Sequence, residues 1–301
     1  MNDPIIVSVG GGKGGVGKST VTSYLGAALS KKKYSVGFVD ADLGGANLHS
    51  FLGVKRPRTG LQDFLSGRVK TLGETAVETC IPGSWLISGA SDILELANPK
   101  FGQKQRLISS LRKLNADYIF VDLAAGTGFH VTDFYASFSH GIIVSDSLPI
   151  SIENAYGFLK NGILRGLTRL FPDRKDVSRF VQRLSDSKAA EGFATVSEML
   201  SAAARVYPEE TTLMKQWLAD RRNFLVLNMI KDKTDIGVGR RFVELVRKYL
   251  SVSLSYIGYI CYAPEIRTAV RESKPAVLSP SASVSGCFEA IAANLCALTR
   301  G

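Results

Sequence analysis

Ile5-Ile6-Val7-Ser8-Val9-Gly10-Gly11-Gly12-Lys13-Gly14-Gly15-Val16-Gly17-Lys18-Ser19 is the stretch that decides the fold. An almost unbroken apolar run predicts a strand buried on both faces. A glycine-rich turn follows, and a helix is predicted from Ser19 to about Lys32, where the Lys31-Lys32-Lys33 run suits a helix C-terminus. Gly12 to Ser19 fits G-x-x-x-x-G-K-[ST] in the strand-to-helix context that a phosphate-binding loop requires. Glycine lets phosphate oxygens approach the backbone with no side chain in the way. The helix N-terminus adds free N–H groups and the positive end of its dipole. Lys18 supplies a point charge to the phosphates, and Ser19 offers a hydroxyl to Mg²⁺. The ligand is therefore expected to be ATP with Mg²⁺, held by Gly12, Lys13, Gly14, Gly15, Val16, Gly17, Lys18, Ser19 and Thr20.

Outward from the loop, apolar runs alternate with helical stretches. Val36–Val39, Trp85–Ile87, Tyr118–Val121, Gly141–Ser145, Phe224–Asn228 and Leu254–Gly258 read as further strands. The rhythm predicts an α/β fold: a mostly parallel twisted sheet of about seven or eight strands with helices on both faces. From about 152 to 222 no strand is evident. That region is read as a helical insertion, centred on about 165–222, within one domain spanning 1–301. Ligands of open α/β sheets bind past the carboxyl ends of the strands, so acidic residues there matter. Asp40-Ala41-Asp42 ends the second strand, where paired carboxylates can organise a metal and a water. Asp122 ends the Tyr118 strand, and Gly126 lies in the turn beyond it. Asn228 ends another strand. Its amide can donate to and accept from one base edge, or it can simply form a turn.

Composition narrows the class. Apolar residues make up 45% of the 301, enough for a large core. No run of about 18 uncharged apolar residues suggests a membrane span, and the N-terminus has no secretory pattern. Cys80, Cys261, Cys287 and Cys296 lack any Cys-x-x-Cys spacing and read as reduced core thiols of a cytoplasmic protein. The net charge of +10 is compatible with an anionic partner or with a merely basic surface.

Lys13, with the loop Lys-Gly-Gly-Val-Gly-Lys-Ser, resembles the deviant Walker A motif of the MinD/ParA superfamily. The resemblance implies an ATP-bridged homodimer in which Lys13 reaches the partner's phosphates. It makes Lys13, Lys18 and Asp42 catalytic, with Asp42 positioning water. It makes Ser19, Asp40 and Asp122 the metal group, has Gly126 meet the γ-phosphate, and has Asn228 and the Pro264 loop pack the base. Leu123-Ala124-Ala125-Gly126 departs from the family pattern, which carries proline in this second switch. Ser151–Tyr156 and Gly258–Ile260 look like the MinD branch, nearest to FlhG/FleN-like regulators of flagellar number. The resemblance thus implies a spatial or number regulator acting through an unknown protein partner. Neither a C-terminal amphipathic membrane anchor nor an N-terminal activator-binding extension is evident. The alternative is a ParA-like partition ATPase whose ATP dimer binds DNA non-specifically through Arg221, Arg222, Arg240, Arg241, Arg247, Lys248, Arg267 and Arg271.

Overall fold

The computed structural model describes residues 3–43, 45–55, 57–89, 101–184, 192–271, 275–278 and 280–300. One eight-stranded sheet organises the chain: β1 (Ile5–Gly10), β2 (Val36–Asp40), β3 (Val77–Glu78), β4 (Ser84–Ile87), β5 (Tyr118–Asp122), β6 (His140–Ser145), β7 (Arg222–Ile230) and β8 (Leu254–Cys261). Their spatial order is β3-β4-β2-β5-β1-β6-β7-β8. All pairings are parallel except β3 with β4. The two-residue edge strand β3 escaped the sequence reading, being too short to carry a period.

Alternate residues of each central strand feed opposite layers. Val7 and Val9 pack with Phe38, Tyr118 and Phe120 on one face, whereas Ile6, Val39, Ile119 and Val121 pack on the other. The first layer is closed by α1 (Lys18–Lys31) and α12 (Ala282–Arg300), where Tyr24 stacks on Phe288 at 5.0 Å. The second is closed by α4 (Phe101–Leu111), α5 (Phe129–Ser137), α6 (Pro149–Arg169) and α10 (Gly237–Leu250). Burial of both faces explains why the strands read as continuous apolar runs.

Helices α2 (Leu48–Phe51) and α3 (Leu61–Leu65) follow β2, and α11 (Pro264–Arg271) follows β8. Between β6 and β7 lie α6, α7 (Lys175–Gln182), α8 (Val196–Val206) and α9 (Pro208–Ala219). The structure corrects the expected start of the insertion at 152. Residues 149–169 form the crossover helix itself, with Phe158, Leu159, Ile163 and Leu167 fully buried. The added helices are α7–α9. Helix α1 begins at Lys18 and ends at Lys31, one residue earlier at each end than expected.

Helix α12 is the one described helix long and apolar enough to cross a membrane by length and composition. Here it lies on β8 with Val284, Phe288, Ile291 and Leu295 buried. The four cysteines are free and half-buried rather than fully in the core.

Candidate nucleotide site

Strand β1 sits between β5 and β6, so the chain leaves the sheet near its middle and turns into α1. Gly17 caps that helix with φ 89°, a left-handed conformation that a side chain would strain. Asn228 closes over the same place: its Nδ2 donates to the Val16 carbonyl at 2.9 Å, and a Cβ on Gly17 would strike that nitrogen. A Cβ on Gly12 would overlap the backbone carbonyl of Asn154 in α6. The loop is therefore pinned between β7 and α6. Lys13 projects exposed from its tip, while Lys18, Ser19 and Thr20 are half-buried at the start of α1.

The acidic residues converge on the same end of the sheet. Ser19 Oγ donates to Asp122 Oδ2 at 2.6 Å, and Thr22 Oγ1 donates to Asp122 Oδ1 at 3.3 Å. Asp40 accepts from the backbone N–H of Asp42 at 3.1 Å and of Leu48 at 3.0 Å, which ties the segment after β2 to the strand end. Burial, then the negative charge of Asp122, pushes the Asp40 carboxyl up to about 7. Burial pushes Asp122 up to about 6, against the Ser19 hydroxyl and the Lys18 charge, which pull it down. Asp42 is half-buried beside Gly45. Gly126 lies in the turn after β5, and Ala125 of that turn faces the loop: a Cβ on Gly14 would sit 3.8 Å from the Ala125 Cβ.

Beside the loop opens a cavity of ≈ 360 Å³, lined in part by Gly15, Gly17, Thr20, Asn228 and Ala263. Phe51, Met229, Cys261, Tyr262 and Ile266 complete its wall. Its size and mixed lining fit a nucleobase. Asn228 is 5% exposed, and its Oδ1 accepts from the Met229 N–H at 2.9 Å, so both ends of the amide already have protein partners. Pro264 opens α11 next to this wall, which Tyr262, Ala263 and Ile266 form. Thr22 was missed by the sequence reading, although it lies one turn beyond Ser19 on α1. Phe51 and Tyr262 were missed because nothing local marks them.

One of the candidate DNA contacts is corrected outright. Arg221 is 2% exposed, and its guanidinium donates to the carbonyls of Tyr135, Ala136 and Phe138 at 2.9–3.4 Å. It serves the end of α5 and cannot reach a duplex. Arg222, Arg240, Arg241, Arg247 and Lys248 are exposed. The side chains of Arg267 and Arg271 lie outside the described residues.

Known proteins share the chain's sequence pattern and its fold. Residues 4–156 match a ParA family model described as NUBPL iron-transfer P-loop NTPase. The flagellum site-determining protein YlxH of Helicobacter pylori is 38% identical over 161 residues, covering 51% of this chain and 52% of that protein. The antiactivator FleN of Pseudomonas aeruginosa is 28% identical over 301 aligned residues, covering 97% and 86%. The septum site-determining protein MinD of Pyrococcus horikoshii, solved with Mg-ADP, shares the fold at TM-score 0.63 and 22% identity, covering 97% and 96%.

Proposed function

Because the chain belongs to the ParA family of P-loop NTPases, we propose that it is an ATP-binding and ATP-hydrolysing switch. In this reading it dimerises with ATP and regulates the placement or number of a cellular structure through a protein partner. The observation that carries the reading is the convergence of Lys18, Ser19, Asp40 and Asp122 on one glycine-pinned loop beside a base-sized cavity. The names of its relatives, a site-determining protein and an antiactivator, support a regulator that acts on another protein.

The residues fit a hard divalent cation. Ser19 Oγ already donates its hydrogen bond to Asp122, which leaves the hydroxyl lone pairs free for Mg²⁺. Asp40 and Asp122 supply negative charge close behind. When bound, Mg²⁺ offsets the charge of the triphosphate. Lys18 binds phosphate, Asp42 orients the attacking water, and exposed Lys13 reaches the nucleotide of a second copy.

The test uses three variants. Lys18→Ala should abolish ATP binding in calorimetry with Mg²⁺. Asp42→Ala should bind ATP, scarcely hydrolyse it, and accumulate as a dimer in light scattering. Lys13→Ala placed in that background should retain ATP yet remain monomeric. Wild-type binding by Lys18→Ala would sink the reading at its root. Equal dimerisation with and without Lys13 would remove only the trans role.

A further inference from the structure

Helices α6 and α10 leave a groove between them. Ile152, Glu153 and Tyr156 of α6 and Leu245 and Tyr249 of α10 wall a space of ≈ 360 Å³. Ile152 and Tyr156 are four residues apart, as are Leu245 and Tyr249, so each helix contributes one stripe to the groove. On α10 Leu245 and Tyr249 continue the edge of the apolar face whose centre, Phe242, Val246 and Leu250, is buried against the core. Leu245 is instead 40% exposed, and Ile150 at the head of α6 is 54% exposed.

The surrounding charges indicate what covers the groove. Arg241 lies one turn before Leu245 and Lys248 lies three residues after it, so the two cations bracket the stripe. Arg240 and Arg247 occupy the adjoining exposed flank. No ion pair among the described residues engages any of the four. The opposite wall carries a single carboxylate, Glu153. We propose that the groove docks an amphipathic helix of a partner protein. Its apolar stripe enters between Ile152, Tyr156, Leu245 and Tyr249, and its acidic flank meets Arg241 and Lys248. Charge complementarity sets the register and apolar burial holds the helix. A phosphate-rich partner fits less well. Four of the five groove-lining side chains are apolar or aromatic, so a phosphate backbone would find no cation inside it, and a bilayer surface cannot enter a groove between two helices.

The test is selection from a phage-displayed library of helical peptides randomised on one face, panned against the wild-type chain. Recovered helices should share an apolar stripe with acidic residues along one flank. They should bind Leu245→Asp about tenfold or more weakly, and Arg241→Glu/Lys248→Glu similarly, by fluorescence anisotropy. Lysine-for-glutamate versions of the same peptides should restore binding to the charge-reversed variant. Circular dichroism checks that the variants fold. The proposal is overturned if no helix is recovered, if the recovered helices carry no acidic flank, or if they bind Leu245→Asp as well as wild type. It is equally overturned if duplex DNA or phosphatidylglycerol vesicles bind the chain in a manner that Leu245→Asp abolishes. None of these measurements needs nucleotide, so failure here leaves the ATPase reading untouched.

Discussion

Asp40 and Asp122 pair in register across β2 and β5, the last residue of each strand, so two buried carboxylates stand side by side at the sheet's carboxyl edge. Burial makes both groups resist ionisation, and at Asp40 the negative charge of Asp122 adds to the cost. A site of this kind is short of positive charge. Asp122→Asn keeps an oxygen for the Ser19 hydroxyl and removes the charge. Chelating Mg²⁺ is expected to weaken wild-type nucleotide binding about tenfold or more, about 1.4 kcal/mol, and to change the variant little. Calorimetry with and without EDTA measures both.

Gly12 and Asn154 touch through backbone, and backbone cannot rotate away. Gly12→Ala should cost about 1–3 kcal/mol of stability, by overpacking, and should lower nucleotide affinity by displacing the loop. Gly14→Ala is the control for stability, since its Cβ would meet only Ala125 at ordinary contact distance. Urea unfolding of the two variants distinguishes a clash from a general intolerance of the loop.

Asp133 on α5 is the hub of a cluster of three cations. It accepts from Lys104 Nζ of α4 at 2.5 Å and Arg165 Nε of α6 at 2.5 Å, with Arg169 Nη1 at 3.8 Å. Burial pushes its carboxyl up, but the hydrogen bonds and charges of Arg165 and Lys104 prevail and hold it below the usual range. Asp133→Asn leaves buried Lys104 without its counter-ion and should cost about 3–5 kcal/mol at pH 7. Because the folded value is depressed, this stabilisation is present above the unfolded value of about 3.9 and is lost as pH falls through the folded one. The difference between wild type and variant in urea unfolding should therefore hold from pH 7 down to about 4 and shrink below it.

Arg221 and Arg222 are neighbours with opposite fates. Arg221→Ala strands three carbonyls at the end of α5 and should destabilise the fold by about 2–4 kcal/mol. Arg222→Ala, on an exposed position, should stay within about 0.5 kcal/mol of wild type. Thermal unfolding of the pair would reveal any loss of DNA binding in Arg221→Ala as loss of fold.

The nucleotide loop was legible because its chemistry is local. Gly12 to Ser19 are consecutive, and a phosphate-binding turn needs only glycine, a lysine and a hydroxyl at fixed spacing. The parallel sheet was legible too, since strands buried on both faces announce themselves as apolar runs. Asp40 and Asp122 were recognisable as strand-end carboxylates for the same reason. The sequence by itself thus determined the fold class, the phosphate cradle and the acidic pair. Only the tertiary structure decided what required distant segments to meet. It put Asn228 on the Val16 carbonyl, 212 residues away, and Asn154 against Gly12. It turned Arg221 inward to the end of α5 and left Leu245 facing outward beside Tyr156. Those outcomes depend on how helices lie across the sheet. Helix placement follows from packing summed over the whole core, and no short window of residues records that sum.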